Sequence, residues 1–151
     1  NQVASSVEQF TIGNDQEMDL YLAAYDVLGS IAHTTMLAEV GLLTKEEQIQ
    51  LKKALVEIYA LVQSGNFKLG EGVEDIHSQV EMLLTEKLGD IGKKIHSARS
   101  RNDQVLVDLK LFLRAELMSI AKSVQSLFAL LQTKITTLSL PSSKLYSVAL
   151  A

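Results

Sequence analysis

From Arg101 or Asn102 to about Leu138 the chain keeps one helical period without a break. Val105, Leu109, Phe112, Leu117, Ile120, Val124, Leu127, Leu131, Ile135 and Leu138 recur mostly at three- and four-residue steps, and Leu113 and Phe128 widen the stripe. At 1.5 Å per residue such a helix is roughly 50 Å long. The ~100 residues before it form a domain with a radius of gyration near 13 Å, too small to cover it. A long apolar stripe left in water is an association surface. The expected architecture is therefore all-α: a small helical domain over residues 1–100, then a long helix opening at 101 that belongs to a multi-helix, oligomeric central bundle. Residues 101–151 would be the truncated start of that second domain.

The rest of the chain agrees with an all-helical reading. It holds one Pro and eight Gly among abundant Leu, Ala, Glu, Lys and Gln, and no convincing alternating strand pattern. Residues 1–17 read as a polar arm with one apolar cluster at Val7, Phe10 and Ile12. Met18 to Val40 reads as a helix on Leu20, Ala24, Val27, Ile31 and Leu37, stopped by Gly41. Thr44-Lys45-Glu46-Glu47 is a capping box opening a helix to about Gln63, with Leu51, Leu55, Ile58 and Val62 inward. A loop through Phe67 to Gly72 follows. Glu74-Asp75 starts a third helix, with Ile76, Val80, Leu83, Leu84 and Leu88 inward and Gly89 at its end. Asp90 to Ser100 reads as a linker, and Leu140-Pro141 breaks the long helix.

Composition excludes several functions. Formal charge is −4, from 14 cations and 18 anions, which argues against nucleic acid as a partner. Without cysteine there is no disulfide framework or thiolate metal site. His33, His77 and His96 are too scattered to suggest zinc. No apolar run approaches the ~18 residues of a membrane span, and no signal peptide is visible, so a cytoplasmic location is the default.

The linker carries the chemistry. Lys93, Lys94, Arg99 and Arg101 gather there with no acid until Asp103. Ser100 is placed to cap the long helix, with Asp103 as its box partner. Two guanidiniums beside a positive helix end suit a carboxylate or phosphate. On spacing alone, a capped helix start with solvated arginines fits as well. His77, in the first turn of its helix, reads either as a partly exposed histidine bonding locally or as one pointing into a cleft.

The run Lys93-Lys94-Ile95-His96-Ser97-Ala98-Arg99-Ser100-Arg101-Asn102-Asp103-Gln104 is very similar to a signature of the argininosuccinate lyases, within the fumarase/aspartase superfamily. Val7 to Thr11, Asp26 to His33, Gly41 to Glu47, Glu74 to His77 and Leu88 to Lys94 resemble further family segments in order. The similarity covers about Val7 to Leu131. It implies a homotetramer whose bundle is built from four subunits. Active sites draw on three of them, and argininosuccinate is cleaved to arginine and fumarate with no cofactor and no metal. It implies Asn102 and Arg101 as substrate contacts with Ser100 beside them, Arg99 shaping the loop, Asp19 near the substrate's arginine end, and His77 lining or bracing the cleft. Ala98 stands where the family often has Gly, and Asp15 or Gly13 stands where it has a serine. The family's later catalytic histidine and serine-rich loop have no counterpart here. The expectation is an N-terminal fragment with no catalytic residue of its own, inactive alone. The alternative is a non-catalytic, self-associating helical module.

Overall fold

The computed structural model describes residues 15–70 and 72–138, with side chains from residue 17 to residue 135. Its elements are α1 (Asp15–Asp19), α2 (Ala23–Glu39), α3 (Lys45–Gln63), α4 (Ile76–Leu88), α5 (Asp90–Lys93), a 3-10 turn (Lys94–His96) and α6 (Arg101–Leu138). There is no strand among the described residues, so the chain is all-α. No helix among them is long and apolar enough to cross a membrane. The Val7 to Thr11 motif, Gly13, the Leu140-Pro141 break and the residues after it lie outside the described residues.

Local chemistry explains the boundaries. Gly41 takes φ +80° and closes α2, with Leu42 N–H bonding Leu37 C=O at 2.8 Å and Gly41 N–H bonding Ala38 C=O at 3.3 Å. This turn carries Leu43 into the core. Thr44 Oγ1 accepts from Glu47 N–H, and Glu47 returns a carboxylate to Thr44 N–H at 3.0 Å. Asp75 caps α4 by accepting Ser78 N–H at 2.7 Å.

Two boundaries differ from expectation. The helix read from Met18 begins at Asp15 and is interrupted at residues 20–22, where i→i+3 bonds tighten the backbone: Tyr21 N–H to Met18 C=O, Leu22 N–H to Asp19 C=O. The segment read as a linker from Asp90 holds the 3-10 turn, packed against α2, and α5, packed against α4. Gly92 makes that contact possible. A Cβ there would lie 2.4 Å from the Leu84 carbonyl carbon, so only glycine admits the approach.

The chain divides into two compact units, residues 1–112 and 113–151. In the first, α2, α3 and α4 pack on one another around Val27, Leu37, Leu51, Leu55, Ile76, Val80 and Leu84, all within 2 % of full burial. Each such side chain contributes about 1.5–3 kcal/mol over leaving it in water. Leu20, expected inside, is exposed, and Val62 is half-buried. Glu47 also holds Lys94 at 2.5 Å, tying the start of α3 to the 3-10 turn. The described part of the second unit is the remainder of α6. Its Leu117, Ile120, Val124, Leu127, Phe128, Leu131 and Ile135 are all more than half exposed.

Candidate functional site

The start of α6 is built locally. Ser100 Oγ accepts Asp103 N–H at 3.3 Å, while the Asp103 carboxylate accepts Ser100 N–H at 2.8 Å and its hydroxyl at 2.9 Å. These bonds hold the Asp103 carboxyl below its ordinary pKa. The expected capping box is present, with Asp in the acidic position. Ala98, two residues before the cap, takes φ +57°, a left-handed conformation that explains why glycine suits this position. Ser100 and Asn102 are exposed.

The two arginines turn inward. Arg99 donates Nη2–H to Ser30 Oγ on α2 at 3.1 Å, and its buried Nε has no hydrogen-bond partner among the described residues. Burial lowers its pKa, against the pull of Asp26 and Asp108. Arg101 is held by the start of α4: Nε pairs with Asp75 at 3.3 Å and Nη2–H donates to Ser78 Oγ at 3.1 Å. Its Nη1–H reaches Gln104 Oε1 at 3.5 Å. Asp75 is half-buried, which raises its pKa, but the bonds from Ser78 and the charge of Arg101 outweigh that, and the carboxyl lies below its ordinary value.

Beneath these residues lies a buried polar cluster. His77 Nδ1–H donates to Asp26 Oδ1 at 2.9 Å, and Asp108 Oδ2 lies 3.7 Å from the same nitrogen. Gln104 Nε2–H donates to Asp26 Oδ1 at 3.4 Å. Asp26 and Asp108 are each 1 % exposed and His77 is 5 % exposed. Burial disfavours the imidazolium, but the bond to Asp26 and the charges of Asp26, Asp108 and Asp75 win, and the His77 pKa is raised. Burial pushes the Asp108 carboxyl up to about 7, helped by Asp26 and opposed by His77 and Arg99. Oxygen and nitrogen atoms of Asp26, His77 and Asp108 lie within 4.8 Å of one another, a spacing open to a metal ion. Asp26 Oδ2 and Asp108 Oδ2 have no hydrogen-bond partner among the described residues, and the nearby Arg99 already supplies a positive charge there.

Of the five residues read as substrate contacts, Ser100, Arg101 and Asn102 share one turn. His77 lies under that turn and is buried, not partly exposed. Asp19, at the end of α1, is half-buried and close enough to raise the Asp108 pKa. A mostly apolar cavity of about 610 Å³ lies between α2 and α6, with Leu28, Met36, Val107 and Leu111 beside Arg99, Gln104 and Asp108. Arg101 and Asn102 do not line it. The reading of the sequence missed Asp108 as a neighbour of His77 and Gln104 as a partner of Asp26, and took Asp26 only as part of a motif. Their signal was a polar ridge at four-residue steps, Asp26-Ser30-Thr34 on α2 and Gln104-Asp108 on α6, which by default reads as a solvated face.

Comparison with known proteins agrees with the motifs. A family described as lyase matches residues 1–137. The chain is 62 % identical over 130 residues to an argininosuccinate lyase of Bacteroides thetaiotaomicron, covering 86 % of this chain and 29 % of that protein. It is 58 % identical over 135 residues to an argininosuccinate lyase of Phocaeicola vulgatus, covering 89 % and 30 %. It is 46 % identical over 125 residues to one from Thermotoga neapolitana, covering 83 % and 31 %. The chain thus spans under a third of the length of these relatives. With the match running across the three-helix core and most of α6, including the capped basic turn, the chain belongs to the lyase family.

Proposed function

We propose that this chain is part of an argininosuccinate lyase, a carbon–nitrogen lyase of arginine biosynthesis that splits argininosuccinate reversibly into arginine and fumarate without a cofactor. The observation that carries the reading is the Ser100-Arg101-Asn102 turn, in a chain 62 % identical to an enzyme of that name. In such a β-elimination a base removes the proton beside a carboxylate, and charge grows on that carboxylate before the guanidinium nitrogen departs. Donors fixed in advance at this point stabilise the transition state more than the substrate. The turn supplies an exposed Asn102 amide, the part of Arg101 not engaged by α4, and the first-turn N–H groups of a long helix. Asp19 suits the cationic arginine end of the substrate. His77 acts from below as a brace.

The proton-transfer residues are proposed to come from sequence beyond these 151 residues and from neighbouring subunits. The exposed apolar side chains of α6 between Leu113 and Ile135 favour a central bundle domain, opening at residue 101 and completed as a homotetramer in the cytoplasm. The same stripe favours the second reading, a self-associating helical module without catalysis.

The test is fumarate release, followed by ultraviolet absorbance, in the full-length protein. Asn102→Ala and Arg101→Ala should each lower kcat/KM by about a hundredfold or more, the loss typical of one transition-state donor. A change below about twofold in both, with helical content intact, would refute the enzyme reading of this turn and leave the module reading.

A further inference from the structure

We propose that the buried Asp26, His77 and Asp108 cluster positions the Arg101 guanidinium, acting through the first turn of α4 and through Gln104. The inference rests on the reading that Arg101 meets a substrate carboxylate.

Two routes converge on Arg101. His77 is the second residue of α4, between the cap Asp75 and Ser78. Those two neighbours hold Arg101, at 3.3 Å and 3.1 Å. His77 is itself fixed from the core side by Asp26 at 2.9 Å and faces Asp108 at 3.7 Å. The His77 contacts thus help to fix the α4 start that carries both acceptors, together with buried Ile76 and Gln79. The second route is shorter. Gln104 donates to Asp26 at 3.4 Å and accepts from Arg101 at 3.5 Å, so one amide links the buried carboxylate to the guanidinium.

A guanidinium has five N–H donors in a rigid fork. Asp75, Ser78 and Gln104 engage Nε and one donor on each Nη. Among the described residues one donor remains on each Nη, and three contacts orient the fork. That is the preorganisation a carboxylate needs, because no side-chain entropy is lost when it arrives. A cluster that served stability alone would have no reason to share its partners with a half-exposed arginine. Its effect on turnover would not depend on that arginine.

The experiment is a double-mutant cycle in the full-length protein, read as steady-state argininosuccinate cleavage. His77→Gln and Ser78→Ala should each lower kcat/KM by about tenfold, mostly through KM, and by less than about twofold when Arg101 is already Ala. Equal penalties in both backgrounds, or none with Arg101 present, would overturn the inference while an impaired Arg101→Ala keeps the functional reading intact. An unimpaired Arg101→Ala would instead defeat that reading and the inference with it. If His77→Gln loses its helical circular dichroism, Gln104→Leu carries the test: it cuts the link from Asp26 to Arg101 and should show the same tenfold loss only when Arg101 is present, equal losses in both backgrounds overturning the inference.

Discussion

Replacing Asp108 with Asn should flatten the pH dependence of stability. In the folded chain burial raises the Asp108 carboxyl from 3.8 to about 7. A raised acid keeps its proton in the folded state over a range where the unfolded chain has released it. Stability therefore falls as pH climbs from about 4 to about 7, and stays lower above that. At about 1.36 kcal/mol per pH unit, the ceiling on this loss is about 4 kcal/mol. Solvent screening at the edge of the cluster and relaxation around it bring the expected value to about 2 kcal/mol. His77 acts in the same direction. Its folded pKa is raised, so its contribution is complete below the unfolded value of 6.5 and is lost as pH rises through the folded one. Asn is neutral at every pH and close in shape to the protonated acid. The Asp108→Asn chain should match the parent near pH 5 and exceed it by about 2 kcal/mol near pH 8. Only the shallower His77 slope should remain. Urea unfolding followed by circular dichroism from pH 5 to pH 8 measures both curves. Parallel curves, or a variant that loses ground as pH rises, would show that Asp108 is ionised throughout and would refute the account of its burial.

Two further changes test the backbone. Gly92→Ala should destabilise by about 2–3 kcal/mol, since its Cβ meets the α4 backbone at 2.4–2.5 Å and neither Leu84 nor Thr85 can yield there without moving the helix; an unchanged urea midpoint would contradict the contact. Ala98→Gly should stabilise by about 0.5–1 kcal/mol, the left-handed penalty removed at φ +57° less the added freedom of the unfolded chain. A lower melting temperature would show that this strain is absent.

What was legible in the sequence was local. Caps at Thr44 and Ser100, the helix start at Glu74-Asp75 and the stop at Gly41 each involve residues close in sequence, so their spacing specifies their bonds. The core stripes of α3 and α4 followed from periodicity for the same reason. The buried cluster was not legible, because its bonds join residues 51 and 78 positions apart and no local rule pairs them. The stripe on α6 misled in one respect. Between Arg101 and Phe112 the buried side chains are Gln104 and Asp108, while Val105, Leu106, Val107 and Leu109 stay exposed. An apolar stripe says that a face will be covered, but not by what. The arginines were legible as cations and not as inward-turned ones, since their partners Ser30, Asp75 and Ser78 come from two other helices.

The central claim is that the turn opening α6 receives a carboxylate of the substrate. The most direct measurement is a crystal structure of the full-length protein with fumarate bound. The account requires a fumarate carboxylate within about 3.2 Å of the Asn102 amide or a free Arg101 Nη, with Asp75 and Ser78 still holding the other side of that guanidinium. Fumarate bound more than about 4 Å from both residues would contradict it.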